Sequence, residues 1–355
     1  MKEIENLIKD LKPKVESLRA NFNVSLLTNT RSKTREINNS LMSYSTNNEF
    51  FNDQEFEEVL TGIQNAGFFV EPFFNEIEFI LTTLKESSYR NKRFVYNLSR
   101  NGQHTGKKSL IPSFCDLMSI PYTGSDALVI SFSRAKYMYT KYLDNHGIKV
   151  PNSWVYDPVH TWLNGAQPLV ETNIIIKPMH ESASIGLSKS SIKKYNQESQ
   201  LEITRESLEK NTPLLVQEFI SGFECEVPLL ISSKPYAMNP VGISIDGENH
   251  VGQEILTYAH SYSDSYGFYS LDKEFPKSVV EKIRSTATQI GRLVGLKGYG
   301  RVDFRINNQG VPYLMDIAAS PYTTQHSSFA FAYEQLGLNY HDIYSSIIAL
   351  SANSN

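Results

Sequence analysis

The sequence predicts an α/β protein of mixed (α+β) character with more than one domain, and three observations predict it. From Asn23 onward, short apolar runs alternate with amphipathic stretches, the pattern of strands and helices laid in an α/β layer with a parallel sheet. The chain has 355 residues, enough for roughly two or three cores. Near the C-terminus, RVDFRI and VPYLMDI flank Asn307-Asn308-Gln309-Gly310, which reads as a hairpin because Asn and Gly tolerate positive φ. Composition bounds the rest. A net charge of −4, a pI near 6.1 and 40% hydrophobic residues mark neither a nucleic-acid nor a membrane partner. Cys115 and Cys225 alone make no disulfide framework and suit a reducing cytoplasm. No run approaches the roughly 18–20 apolar residues of a membrane span, and the N-terminus lacks the apolar core of a signal peptide.

In chain order, Met1 to Asn21 places Ile4, Leu7, Ile8, Leu11, Val15 and Leu18 on one helical stripe, with Pro13 kinking it. NVSLL reads as a strand, and the polar TNTRSKTREI as a loop or helix start. Asp53 to Asn65 reads as a helix with Phe56, Val59, Leu60 and Ile63 inward, and GFFVEPFF and FVYNL as further strands. Ser131 to His146 should be helical, ending at Gly147, with Lys136 and Lys141 on it. In NIIIKPMHESASIGLSK a buried strand ends at Lys177 and is followed by Ser182, Ala183, Ser184 and Gly186. Small side chains there let backbone N–H groups approach phosphate oxygens, and a lysine leaving the strand can neutralise them.

PLLVQEFISGFECEVPLLIS is strand, Ser221-Gly222 turn and strand, with Glu218, Glu224 and Glu226 around the turn. These are either solvated edge charges or a binding edge, with a flat base against the backbone of Glu218 to Ile220 and Glu224 accepting ribose hydroxyls. Gly252 to Pro276, rich in Tyr and Ser, has the length of an active-site lid, centred on Tyr258 to Tyr269. Ser278 to Val294 spaces Val280, Ile283, Ala287, Ile290 and Val294 by three and four, a core stripe. In RVDFRI, alternation puts Arg301, Asp303 and Arg305 on one face, and the return strand brings Asp316 alongside. Two acids and an arginine so placed can hold Mg²⁺ against a polyphosphate and neutralise developing charge. One such pair alone is ordinarily a surface salt bridge; the other stretches change that balance.

IPYTGS, IKPMHESASIGLSK, VQEFISG, GYGRVDF and the TTQHS loop, in this order, resemble the ATP-grasp superfamily and specifically the D-alanine–D-alanine ligases, over roughly Asn23 to Leu350. The resemblance implies a three-domain ATP-grasp architecture with an N-terminal helical extension: 1–22 the extension, 23–124 an N-terminal α/β substrate domain, 125–213 the central domain and 214–355 the C-terminal catalytic domain. It implies ATP and Mg²⁺ as cofactors. Lys136 and Lys177 would bind phosphates, Gln217, Glu218 and Ile220 would frame adenine, and Glu224 would take the ribose. Asp303 and Asp316 would ligate the metal, and Arg301 and Ser184 would serve the acyl-phosphate chemistry. The implied reaction activates a carboxylate with ATP and passes the acyl group to an amine, so the partners are small amino-acid-like carboxylate and amine substrates, with room for a homodimer.

The departures shape the substrate expectation. Thr28-Asn29-Thr30 replaces the family's glycine pair, and Thr34 stands where a glutamate grips the donor's ammonium, while Arg35 and Glu36 are kept. Asp316-Ile317-Ala318 replaces E-x-N, removing one amide ligand, and Tyr322 replaces a glycine. His260 is the residue nearest to the lid lysine. Ser327, with His326 beside it, matches the position that holds the acceptor's carboxylate. The expectation is a ligase for a pair other than two D-alanines; the alternative is a degenerate member that binds nucleotide or peptide without turnover.

Overall fold

The computed structural model describes residues 2–34, 49–85, 92–102, 105–180, 186–257, 260 and 265–352. Three sheets organise them. In the first, β1 (Asn23–Thr28), β2 (Val70–Phe73) and β3 (Arg93–Leu98) pair in the order β2-β1-β3, all parallel, as alternation with helices requires. Helix Asp53–Asn65 starts with a capping box between Asn52 and Glu55 and buries Phe56, Val59 and Ile63.

The middle sheet is antiparallel and contains β4 (Ser153–Asp157), β5 (Thr161–Trp162), β6 (Asn173–Pro178), β7 (Ile192–Lys194) and β8 (Leu214–Glu218), in the order β5-β4-β8-β6-β7. The third sheet is also antiparallel: β9 (Phe223–Ile231), β10 (Pro235–Ala237), β11 (Val241–Ile245), β12 (Tyr266–Ser270), β13 (Gly298–Ile306) and β14 (Pro312–Ala318). Its order is β12-β11-β9-β13-β14, with β10 against the far end of β9. The parallel layer therefore stops at the first sheet: the later strands pair antiparallel, even though helices Gln197–Lys210 and Lys277–Val294 lie in two of their connections.

Several elements differ from the sequence expectation. The N-terminal helix is two helices, Lys2–Asp10 and Lys12–Asn21, because Pro13 can occupy a first turn but not a helix interior. The second packs on helix Tyr340–Ser351, and the apolar residues of both join the core that this helix buries. The helix expected over Ser131–His146 starts earlier, at an Asp126 cap, and breaks at Ala135 (φ −88°, ψ 71°) into Ala127–Arg134 and Lys136–Asp144. Leu214–Glu218, assigned by sequence to the C-terminal unit, pairs with β4 and β6 of the middle sheet. Tyr266–Tyr269, expected within a lid, lie in β12 and pair with β11; the stretch before them falls largely outside the described residues.

Gly222 crosses from the middle sheet to the third one at φ +140°. A Cβ there would lie 2.1 Å from the Ile306 carbonyl oxygen, so only glycine fits. Gly222 and Gly252 exchange backbone hydrogen bonds at 2.9 and 3.2 Å, and on the entry side Leu314 N–H donates to Lys149 O at 2.9 Å. The helix Lys277–Val294 buries the expected stripe against the third sheet. No described helix is long and apolar enough to cross a membrane.

Candidate active site

Opposed strands of the third sheet build the centre. Antiparallel register sets Asp303 of β13 directly across from Glu226 of β9 on one side and Asp316 of β14 on the other. Directly opposed residues share a face, so three carboxylates form a row. Arg301, two residues along β13, lies on the same face. Its guanidinium donates to both Asp303 oxygens at 2.7 and 2.9 Å and contacts Glu226 Oε1 at 3.1 Å. Burial works against the Arg301 charge, but Asp303 and Glu226 outweigh it and raise its pKa. Burial also raises the Asp303 pKa, against the pull of Arg301, and Glu226 adds to the rise. Across the strand, the Tyr139 hydroxyl and the Ile317 N–H both donate to Asp316 Oδ1 at 2.9 Å. A bulge at Asp303/Phe304 aims this end of the hairpin.

Lys177 reaches the same place from the end of β6. Burial and the nearby Lys136 lower its pKa to about 8, while Asp316 and Glu224 act in its favour. Lys136 stands at the first position of its helix because of the Ala135 break. Lys136 and Lys177 thus lie near enough to Asp316 and Glu224 for their charges to act on one another. Glu224 accepts from Arg305 Nη1 at 3.2 Å, and burial raises its pKa. Arg305 is anchored by the Glu254 and Gly252 carbonyls and lies over the Phe219 ring. Phe219 and Ile220 are buried beside it, and Glu218 accepts from Asn152 Nδ2 at 2.7 Å. Gln217 is buried and donates to Ser153 Oγ; its own carbonyl oxygen has no partner among the described residues.

The remaining expected residues are placed less directly. Thr34 is buried with its hydroxyl committed: it accepts from Thr30 N–H at 2.9 Å and donates to Phe74 O at 3.1 Å. Ser327 caps helix Ser328–Glu334, accepting from Ala330 N–H and donating to Thr324 O. His326 stacks on Tyr266 at 4.6 Å and borders a cavity of about 530 Å³ with Phe268, Phe331 and Tyr340. The Tyr322 hydroxyl donates to Glu49 O at 2.9 Å. His260 folds back, its Nδ1 accepting the Thr257 N–H at 3.2 Å. Ser184, with Ser182, Ala183, Arg35 and Glu36, lies outside the described residues. Sequence reasoning noted Glu226 near the turn without giving it a role; its spacing of two from Glu224 was the available signal. Tyr139 had none, being one of several tyrosines on a helix.

The fold has known relatives. D-alanine–D-alanine ligases of Bordetella petrii and Azoarcus sp. are each 26% identical, over 70% and 82% of this chain and 73% and 89% of the relative. Among solved structures, the D-alanine–D-alanine ligase of Bacillus anthracis complexed with ATP aligns with a TM-score of 0.66 at 15% identity, covering 94% of this chain and 98% of that one. The VanG D-Ala:D-Ser ligase of Enterococcus faecalis aligns at 0.62 and 18%, covering 93% and 99%. The family model for the D-ala D-ala ligase C-terminus matches residues 158–349, more than half of the chain and nearly all of the strands that build the cleft. The chain therefore belongs to the D-alanine–D-alanine ligase family of ATP-grasp ligases.

Proposed function

We propose that this protein joins a carboxylic acid other than D-alanine to an amino-acid-like amine, through an acyl phosphate and at the expense of ATP. The observation that carries the reading is that Lys136, Asp316 and Glu224 all lie near enough to act on the buried Lys177, beside the opposed Asp303 and Asp316. Two cations suit a triphosphate, Glu224 suits the ribose hydroxyls, and the orphaned Gln217 oxygen is an acceptor for an amino group of the base. Asp303 and Asp316, opposed on adjacent strands, fit Mg²⁺, which binds through one or two carboxylates plus phosphate oxygens and water; this accommodates Ala318, which offers no ligand. When bound, the ion would supply charge neutralisation at the phosphates.

The chain's own residues do the remainder. A donor carboxylate oxygen attacks the γ-phosphorus and ADP leaves; the amine nitrogen then attacks the acyl carbon and phosphate leaves. Arg301, fixed by Asp303 and Glu226, is the pre-positioned cation for the charge that develops at both steps. Thr34 supports a donor without an α-ammonium, because a buried ammonium needs a countercharge and Thr34 has neither charge nor an idle hydroxyl. The retained Arg301, Asp303, Asp316 and lysines support turnover over a degenerate binder. The test is ADP release against a panel of acids and amines with mass detection of products. Some pair should give ADP and an amide, and D-alanine alone should give negligible dipeptide; efficient D-alanine dimerisation would sink the substrate assignment.

A further inference from the structure

The cavity beside His326 lies on the same face of the third sheet as the carboxylate row, and strand register places it there. Phe268 of β12 opposes Ile243 of β11, Ile243 opposes Glu224 of β9, and Glu224 opposes Arg305 of β13. Directly opposed residues share a face, so Phe268 lies on the face of Glu224, Glu226 and Asp303, two strands or about 10 Å from Glu224. Helix Ser328–Glu334 packs beside it, with the Phe331 ring 6.2 Å from that of Phe268. Gln325, His326 and Ser327, in the loop after β14, line the cavity too, so the residues expected at the acceptor border it directly.

Size and chemistry then narrow what fits. About 530 Å³ falls in the range of roughly 300–1,000 Å³ for whole small-molecule sites, far more than an alanine methyl fills. Phe268, Phe331, Tyr340 and His326 give aromatic walls. Glu334 lines the cavity as well, exposed and without an ion pair among the described residues. A second carboxylate is anchored nearby: Glu58 Oε2 accepts the Gln325 N–H at 2.8 Å, and its charge acts on Tyr340. Among the described residues, no lysine or arginine lines the cavity. Aromatic faces attract a cation, and a methylene stem covers apolar wall while its charged head reaches a carboxylate. An acidic side chain would meet like charge.

Resting on the ligase reading above, we propose that the acceptor is a basic amino acid, and that this cavity takes its side chain, with the stem against Phe268 and Phe331 and the cationic head toward Glu334.

The test uses the full-length protein with ATP and Mg²⁺. Propionate, succinate, glycerate and D-alanine are offered as donors, and arginine, lysine, phenylalanine and alanine, each in both stereoisomers, as acceptors. With some donor, arginine or lysine should form the amide with kcat/KM at least tenfold above alanine and phenylalanine. Glu334→Gln should cut that preference about tenfold, and Ala330→Trp, which fills the cavity, should abolish it. Without donor, arginine should raise Tm, and Glu334→Gln should lose the rise. Alanine or phenylalanine equal to or ahead of the basic acceptors would overturn the proposal and leave the ligase reading intact, as would a basic preference unchanged in both folded variants. An arginine-induced rise in Tm that Glu334→Gln removes, with no ADP released from any donor, would overturn the ligase reading and uphold the cation site. Neither ADP nor a rise would overturn both.

Discussion

Lys177 shows how much of the site's behaviour one side chain sets. Its pKa in the fold is about 8, below the ordinary lysine value, so between that value and about 10.4 the unfolded chain holds more protons than the folded one. This group's contribution to stability therefore rises with pH across that window in the ligand-free protein. A triphosphate beside it restores the charge, so nucleotide binding should take up a proton above pH 8 and weaken as pH climbs. Calorimetry at pH 8.5 in buffers of different ionisation enthalpy should show the uptake, and Lys177→Ala should abolish it along with most of the ATP-induced rise in Tm. Glu226 is the complementary case. Glu226→Gln removes one of the two charges holding Arg301, and about 1.4 kcal/mol of lost charge-assisted bonding corresponds to about tenfold in kcat; Asp303→Asn, which breaks the two-pronged contact, should cost about a hundredfold or more. Either variant unfolding while its surviving fraction keeps full specific activity would reduce the row to a structural salt bridge. Sequence made Asp303, Arg301 and Asp316 legible because they alternate within one hairpin. It gave Glu226 no role, because alternation within a strand does not say which strand will lie beside it.

At the scale of elements, the sequence was clearest where a single period governed a segment. The three-and-four spacing of Val280 to Val294 and the Asn307–Gly310 turn both stand as expected, the turn with Asn307 Oδ1 accepting from Gln309 and Val311 N–H. It was least clear at breaks made by tertiary contacts. Nothing local divides the helix at Ala135; Arg134 is held by carbonyls from two other segments, and the chain restarts with Lys136 at a helix beginning. The turn at Ser221-Gly222 was legible as a turn but not as a crossing between sheets. Gly222→Ala should therefore cost more than a hairpin glycine would: roughly 1–3 kcal/mol of backbone strain, with the Ile306 carbonyl displaced as well. Thermal unfolding checks this, and an unchanged Tm would mean that the crossing relaxes freely.

At the scale of the molecule, the N-terminal helices and helix Tyr340–Ser351 share one core with helix Asp53–Asn65 and one face of the first sheet. Ile8→Ala, far from the cleft, should thus lower stability by about 2–4 kcal/mol without changing the KM for ATP. A matching loss of nucleotide affinity would show instead that the extension shapes the site. The buried ion pairs of Glu49 with Lys107 and Arg134 were illegible for a reason that belongs to this scale, since the three residues come from separate segments with no common period. The two points where the chain enters and leaves the middle sheet carry a further consequence. Lys149 is tied to Leu314 on entry and Gly222 to Gly252 on exit, both to the third sheet. Between them, the Lys189–Glu254 ion pair and the packing of Ile175 and Phe219 against Ile255 also join the middle sheet to the segment after β11. A load applied at Lys177 would therefore be carried across by packed side chains and not by the two chain crossings alone.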